Sequence, residues 1–202
     1  MRPRELVPAK VHLARLYQII HIGTEEYQWK GKPVQTYKIR FTFELPREIR
    51  EFTDKDGLTT ERPMVISAEK GLSMGSKSKL RPFVENLLGV ALQDEEAYAF
   101  DIETLIGKPC MLTVVHETKG EKTYANISGI SPLIEGLECP PAINEPFILN
   151  YAEQWSEEKF KSLPDFIREK MYPTPEYQEK MGLKPVAGNG AYGDFNLDNI
   201  PI

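Results

Sequence analysis

Hydrophobic and polar side chains alternate cleanly from Gln35 to Glu44. A period of two places successive side chains on opposite faces of a strand. The residues of one face are Tyr37, Ile39, Phe41 and Phe43, and those of the other are Thr36, Lys38, Arg40 and Thr42. The pattern predicts a half-buried strand with an aromatic inner face and a cationic outer face.

The segment before it, Val11 to Ile22, is apolar on both faces for much of its length, as is typical of a central strand bent into a barrel. We expect a loop between these two strands. The loop carries Tyr27, Trp29, Lys30 and Lys32. Further along, the pattern predicts a short third strand over Arg62 to Ala68. It also predicts a hairpin formed by Cys110 to Glu117 and Lys122 to Ile130.

One helix is predicted between the third and fourth strands. Apolar residues recur at helical spacing from about Ser78 to Leu88, and Gly89 ends the run. Three strands, a helix and two more strands is the element order of an OB-fold, a five-stranded Greek-key barrel, although other small β-barrels share it. We therefore predict a mainly β protein with an OB-fold-type barrel over residues 11–132.

The rest of the chain is predicted to lie outside this barrel. Residues 1–10 are expected to form a flexible arm, and residues 46–61 a turn or mobile excursion. Residues 133–182 combine a proline-rich linker, which leads out of the domain, with an amphipathic helix that Pro164 divides. Residues 183–202 are expected to be a disordered tail that binds partners.

Composition places few limits on function. Of the 202 residues, 41% are hydrophobic and 27% are charged, as in an ordinary globular protein. No apolar run approaches the ~20 residues that a membrane helix needs. Cys110 and Cys139 lack a CxxC spacing, and the three histidines are not spaced to join them. We therefore expect two reduced thiols in a cytoplasmic protein without a metal or cofactor.

The net charge of −5 argues against a nucleic-acid ligand until it is divided along the chain. Residues 1–132 hold 19 Lys and Arg against 18 Asp and Glu, whereas residues 133–202 hold 6 against 12. The acidity therefore belongs to the C-terminal third. Because binding responds to local potential, the predicted barrel can still present a basic groove.

Cationic and aromatic side chains are the candidates for contact with single-stranded nucleic acid. Aromatic rings stack on bases of any sequence at ~1–3 kcal/mol per base, while Lys and Arg follow the phosphates. On the predicted strands the candidates are Arg15, Tyr17, Lys38, Arg40, Lys122 and Tyr124, and in the predicted loops they are Tyr27, Trp29, Lys30, Lys32 and Lys119. The alternative is an ordinary solvated face with tyrosines at its rim. Trp29 is the sharpest case for ligand contact, because it stands alone in a polar segment.

The segment from Gly71 to Ser78 resembles a phosphate-binding P-loop but does not meet the spacing G-x-x-x-x-G-K-[ST]. A weaker role remains. Lys77, Lys79 and Arg81, together with backbone amides at the start of the helix, are predicted to hold a nucleic-acid phosphate.

The run Asp101-Ile102-Glu103-Thr104 suggests a different class of function. A D-x-E-T run on a first strand is how many proofreading-type 3′–5′ exonucleases hold two metal ions. Here an acidic segment precedes the run in place of a buried strand. We favour the alternative in which Asp101 caps a turn while Ile102 and Leu105 pack inward. No other nucleophile–base–acid set is visible, so no enzymatic activity is predicted.

The last nine residues carry the most specific signal. The run Asp194-Phe195-Asn196-Leu197-Asp198-Asn199-Ile200-Pro201-Ile202 resembles the C-terminal tip of bacterial single-stranded DNA-binding proteins, D-F-D-D-D-I-P-F. It is one residue longer, has Asn and Leu in place of acids, and ends in Ile. Such a segment suits a basic, hydrophobic-floored pocket on a partner, or its own cationic groove in competition with DNA. The predicted contact residues are Asp194, Phe195, Asp198, Ile200, Pro201 and Ile202.

Five further pieces, in this order, resemble a family of bacteriophage single-stranded DNA-binding proteins. They are Ala14 to Tyr17, Ile22 to Thr24, Phe43 to Pro46, Leu105 to Pro109 and Leu163 to Ile167. The resemblance implies an OB-fold and a role in protecting single strands during phage replication or recombination, in the cytoplasm of a bacterial host. It implies no particular DNA-contacting residues.

The sequence as a whole predicts a non-enzymatic protein that coats single-stranded DNA without sequence preference. Its expected partners are that DNA and, through the tail, replication or recombination proteins. No membrane is expected, and self-association into a homo-oligomer stays open. Two alternatives also stay open. One is a metal-dependent exonuclease using Asp101 to Glu103, and the other is an adaptor that holds proteins together without binding DNA.

Overall fold

Residues 5–53 and 57–183 are described by a computed structural model, and their fold is mainly β with several short helices. The strands are β1 (Val11–Trp29), β2 (Lys32–Thr53), β3 (Thr59–Gly71), β4 (Pro109–Lys119), β5 (Lys122–Pro132) and β6 (Phe147–Leu149). The helices are α1 (Leu80–Leu88), α2 (Asp94–Ala99), α3 (Glu157–Ser162), α4 (Asp165–Met171) and α5 (Pro175–Lys180), with a 3-10 helix at Ile102–Leu105. In this part of the chain, no helix has the length and apolar character needed to cross a membrane. The predicted tail contacts, Asp194 to Ile202, lie outside the described residues.

All six strands belong to one sheet. Its order is β3-β2-β1-β4-β5, and β6 pairs with β1. Strand β4 pairs antiparallel with both β1 and β5. The two ends of this path, β3 and β5, approach each other to within 8 Å between Cα atoms. The prediction of a mainly β protein with a helix between its third and fourth strands is confirmed, although two helices and a 3-10 helix lie there and the sheet has six strands instead of five.

The described residues divide into two compact units. The first contains the chain up to Ile20 together with Ile39–Ile148, and the second contains His21–Lys38 together with the residues from Leu149 onward. Strands β1 and β2 therefore contribute residues to both units.

The core of the first unit lies between the sheet and α1. The predicted apolar stripe of α1 is buried, with Leu80 and Val84 at 0% exposure. The ring of Phe83 packs on Phe41 and Phe43 of β2, at centroid distances of 5.2 and 6.2 Å. As predicted, α1 ends at a glycine. Gly89 adopts a left-handed conformation (φ 73°), and its N–H donates to the carbonyl of Glu85.

The prediction of a half-buried second strand is wrong beyond Arg40. Every residue from Phe41 to Pro46 is buried, so the outward face is covered there. The buried carboxylate of Glu44 accepts hydrogen bonds from the backbone N–H groups of Ile143 (3.2 Å) and Asn144 (2.8 Å) and from the side-chain amide of Asn144 (2.8 Å). The proline-rich segment that was predicted to lead out of the domain thus returns to cover β2.

The predicted loop between the first two strands is instead the end of a long hairpin. Strand β1 continues to Trp29 and β2 begins at Lys32, so only Lys30 and Gly31 form the turn. Both turn residues have positive φ (48° and 75°), which is the geometry of the type I′ turns that match the twist of paired strands. Of the predicted turn or mobile excursion, 46–61, residues 46–53 belong to β2 and residues 59–61 to β3, while residues 54–56 lie outside the described residues.

Aromatic rings form the core of the second unit. Tyr151 stacks on Trp155 with centroids 5.3 Å apart, and Phe160 packs on Tyr177 at 5.0 Å. The predicted division of the C-terminal helix is confirmed, because Pro164 separates α3 from α4. Phe166 of α4 is 46% exposed.

Helix α5 was not predicted, and it is fixed to β1 within the second unit. Thr174 caps the helix by accepting a hydrogen bond from the N–H of Tyr177 (3.3 Å). The carboxylate of Glu176 accepts from the backbone N–H (2.8 Å) and the hydroxyl (2.5 Å) of Thr24. Gly23 (φ 108°) lies so close to this helix that a Cβ there would be 2.7 Å from the hydroxyl of Thr174.

Candidate nucleic-acid interface

Two of the candidate arginines in the first unit already have protein partners. The guanidinium of Arg15 donates to the carbonyls of Gly107 and Pro140, both at 2.8 Å. Arg40 donates to the carboxylate of Glu69 at 2.7 Å, and both side chains are about four-fifths shielded from solvent. These contacts hold the fold together, and a DNA contact by either arginine stays a prediction.

Tyr17 is half-buried, so its ring is only partly accessible for stacking. Burial raises the pKa of its phenol, Glu44 raises it further, and Arg40 opposes the change. The hydroxyl therefore stays protonated and uncharged at neutral pH. Tyr17 can contribute a neutral hydrogen bond or a ring edge, and a fully open stacking surface is not present at this position.

The end of the β4–β5 hairpin brings Lys119, which was predicted in a loop and lies in β4, next to Lys122 of β5. Lys119 and Lys122 face each other directly across the two-residue turn. Like charges in facing positions repel each other, so a phosphate bound nearby would reduce the repulsion between the two lysines. Lys119 lies 3.7 Å from Glu117, but both side chains are exposed, and such a pair contributes little. Tyr124, opposite Glu117 on the next strand, is 45% exposed and available for stacking.

Arg81 is placed differently from the lysines near the start of α1. Its guanidinium donates to Glu85 (3.0 Å), to Asp94 (2.5 Å) and to the carbonyl of Leu92. The N–H of Leu92 and the Arg81 guanidinium lower the pKa of the Glu85 carboxyl. Arg81 thus joins α1 to α2, and its predicted phosphate contact would have to compete with two carboxylates.

Lys77 and Lys79 are exposed, and neither has an acidic partner within residues 5–53 and 57–183. The structure adds Lys70, which sequence reasoning missed. Its ammonium lies 5.3 Å from the centre of the Phe83 ring. Burial lowers the pKa of Lys70, and the charge of Lys79 lowers it further. Lys70 and Lys79 are thus close enough for their charges to repel, which makes the region around the start of α1 a candidate for binding an anion.

The tip of the β1–β2 hairpin carries Tyr27, Trp29, Lys30 and Lys32, while Lys38, the remaining candidate of the second unit, lies six residues further along β2. Trp29 is 62% exposed and Tyr27 is 44% exposed, and their spacing of two places them on one face of the strand. The ammonium of Lys30 lies 6.0 Å from the centre of the Trp29 indole. Lys32 is exposed and Lys38 half-buried, and neither has an acidic partner in the described part of the chain. The structure thus brings aromatic rings and lysines together at this tip.

The alternative weighed for the D-x-E-T run is confirmed. The carboxylate of Asp101 accepts a hydrogen bond from the N–H of Glu103 (2.9 Å) and caps the 3-10 helix, while Ile102 and Leu105 are buried. Among the described residues, no group of three or more His, Cys, Asp or Glu side chains is placed to hold a metal ion.

No family model matches this chain, and no curated protein is significantly similar to it.

Proposed function

We propose that this protein binds single-stranded DNA without sequence preference and coats single strands during replication or recombination, without catalysing a reaction. The observation that carries the proposal is the hairpin tip. A tryptophan that is 62% exposed and has a lysine beside its ring serves no packing purpose there. Stacking on bases, with lysines following the phosphates, is the use that this combination serves in proteins that bind single strands.

The topology of the sheet supports the same proposal. The strand order β3-β2-β1-β4-β5, with α1 between β3 and β4, has the element order of an OB-fold. A barrel closes when the two ends of such a path meet, and β3 and β5 approach each other. We propose an OB-type barrel on this basis. Folds of this type bind single-stranded nucleic acid with exposed aromatic rings and a basic surface.

We further propose that the segment from Asp194 to Ile202 recruits replication or recombination proteins. The support is its resemblance to the tip of bacterial single-stranded DNA-binding proteins, with carboxylates interspersed among apolar anchors.

The first test is a salt titration of binding to a labelled oligo-dT of about 30 nucleotides. Trp29→Ala should weaken binding about 5- to 150-fold, which corresponds to the ~1–3 kcal/mol of one stacked base. Lys30→Ala with Lys32→Ala should flatten the dependence of log K on log salt by roughly 1.4, because each lost phosphate contact removes ~0.7 from the slope. Phe166→Ala, which removes an exposed ring from α4, is the control and should leave both quantities unchanged.

Absence of binding by the intact chain at low salt would overturn the proposal and favour the adaptor alternative. Binding that survives Trp29→Ala and the double lysine change would show that the tip is not the contact surface. Degradation of the oligonucleotide in the presence of Mg²⁺ or Mn²⁺ would favour the exonuclease alternative.

A further inference from the structure

A pocket of about 320 Å³ opens in the first unit, beside the connection between β3 and α1. Its lining residues are Leu72, Ser73, Met74, Tyr98, Phe100 and Ile102. Its volume lies at the lower end of the ~300–1,000 Å³ range of small-ligand pockets. Met74 and Ile102 belong to the core, so the floor is apolar and fixed. Tyr98 is 71% exposed, more than any other large apolar or aromatic side chain of the described residues.

Both walls of this pocket are held in place by hydrogen bonds. In the β3–α1 connection, the N–H of Ser73 donates to the carbonyl of Gly71 and the N–H of Ser78 to that of Gly75, both at 2.9 Å. On the opposite wall, α2 is anchored by Ala97, which is fully buried, and by the contact of Asp94 with Arg81. The pocket is therefore a preformed feature.

The turn that carries Lys77 lies against the exposed tyrosine. A Cβ added to Gly75 would be 3.6 Å from the hydroxyl of Tyr98, so the phenol reaches to this turn. Lys77 lies two residues after Gly75 in the sequence, and Lys79 lies four residues after it. Lys70 and Lys79 are close enough for the charge of one to lower the pKa of the other. Tyr98 of α2 thus lies against the short connection that carries Lys77 and Lys79, and Lys70 lies at the end of β3 just before this connection.

The combination selects among ligand classes. A purely anionic ligand would gain nothing from the aromatic wall or the apolar floor, and a purely apolar ligand would gain nothing from the lysines. A nucleotide has a planar base that suits the aromatic wall and the apolar floor, and a phosphate that suits the lysines. We propose that this pocket holds one nucleobase against Tyr98, with the adjoining phosphates bound by Lys70, Lys77 and Lys79. The inference rests on the proposed function and identifies a second contact region for the same strand.

A photocrosslinking experiment tests the proposal directly. Oligo-dT with 5-iodouracil at single positions is irradiated with the full chain, and the crosslinked residues are mapped by mass spectrometry. We expect crosslinks at Tyr98 or Phe100. Tyr98→Ala should remove the Tyr98 crosslink and weaken binding about 5- to 150-fold, the equivalent of one stacked base. Tyr98→Phe keeps the ring and should bind as the native chain does.

Lys70→Ala with Lys79→Ala should weaken binding and flatten its salt dependence, whereas Phe166→Ala again serves as the unaffected control. An excess of free thymidine monophosphate distinguishes two ligands that share a base and a phosphate, namely a free nucleotide and a nucleotide within the strand. Displacement of the pocket crosslink by the mononucleotide would assign the pocket to free nucleotides, and resistance to it would assign the pocket to the strand.

The pocket and the proposed function can fail separately. If the native chain binds the oligonucleotide but gives no pocket crosslink, and Tyr98→Ala binds equally well, the pocket inference is wrong and single-strand binding stands. If the native chain binds no oligonucleotide at low salt, both proposals fall together.

Discussion

At the scale of single residues, pairing decides which cations of this chain are available to an anion. Each arginine named as a candidate contact, Arg15, Arg40 and Arg81, donates to a carboxylate or a backbone carbonyl within the first unit. The planar guanidinium fork is well suited to such fixed contacts, whereas an ammonium on a flexible stem is not. The lysines beside the start of α1 remain without acidic partners in the described structure. The cations available to an anion near the start of α1 are therefore lysines.

Gly23 offers a residue-scale prediction. Its φ of 108° strains any L side chain by about 1–3 kcal/mol. A Cβ would also lie 2.7 Å from the Thr174 hydroxyl and 2.8 Å from the Glu176 carboxylate, and overpacking of this kind adds a further ~1–3 kcal/mol. Gly23→Ala should therefore lower the free energy of unfolding by the sum of both effects, as measured by urea denaturation.

Gly31→Ala is the matched control for this change. Gly31 also has a positive φ (75°), but apart from Gly31 itself and its two chain neighbours, no atom of the described residues lies within 4 Å of the position of its Cβ. Gly31→Ala should therefore lower the free energy of unfolding by the conformational penalty alone, without the contribution of overpacking. Equal destabilisation by the two changes would contradict the close approach of α5 to Gly23.

At the scale of elements, ionisation of Tyr37 in the β1–β2 hairpin should make the stability of the fold depend on pH in the alkaline range. Its hydroxyl lies 3.1 Å from Nδ1 of His21, and burial, followed by the charge of Glu176, raises its pKa to about 12. A raised pKa means that the folded state retains the proton longer than the unfolded state, whose phenol titrates near 10. This contribution to stability is complete below pH 10 and is lost as the pH rises towards 12.

Urea denaturation at a series of pH values between 9 and 12 measures this effect. The native chain should lose stability across that window, and Tyr37→Phe should lose it less steeply, because the titrating group is gone. Identical slopes for the two proteins would show that the pKa of Tyr37 is not raised in the fold.

Elements with strong local signals were predictable from the sequence. Pro164 divides the C-terminal helix and Gly89 ends α1 as predicted, because proline lacks an N–H and glycine tolerates a left-handed conformation. Helix α5 carried a signal that was overlooked, since Thr174 followed by Pro175 is a typical helix start. The loop predicted around Trp29 proved to be strand, because polar residues at a hairpin tip resemble loop residues in composition.

Long-range contacts were not predictable in the same way. The buried carboxylate of Glu44 is bound by Asn144, a hundred residues away in sequence, and no local pattern encodes that contact. The role of Lys70 and Tyr98 depends on where the β3–α1 connection meets α2. Periodicity predicts the faces of an element, and it does not predict which distant segment covers each face.

At the scale of the whole molecule, the C-terminal segment gives a further prediction. Removing the residues after Gly193 deletes Asp194 and Asp198, two carboxylates that are proposed to compete with DNA phosphates for the basic surface. The shortened chain should bind oligo-dT more tightly at low salt, and the difference should shrink as salt screens both interactions. Equal affinities at every salt concentration would rule out competition by this segment.

The second unit is assembled from two parts of the chain that are far apart in sequence. Its hairpin portion ends at Lys38 and its helical portion begins at Leu149. A ribosome that adds ~5–20 residues per second therefore makes the first portion several seconds before the second. During that interval the carbonyl of Ile22 and the N–H of Thr24 lack their partners, because Tyr151 and Glu176 belong to the second portion. The nascent hairpin is thus incomplete until the chain beyond Leu149 has been made, and a chaperone that shields it during that time should raise the yield of native protein.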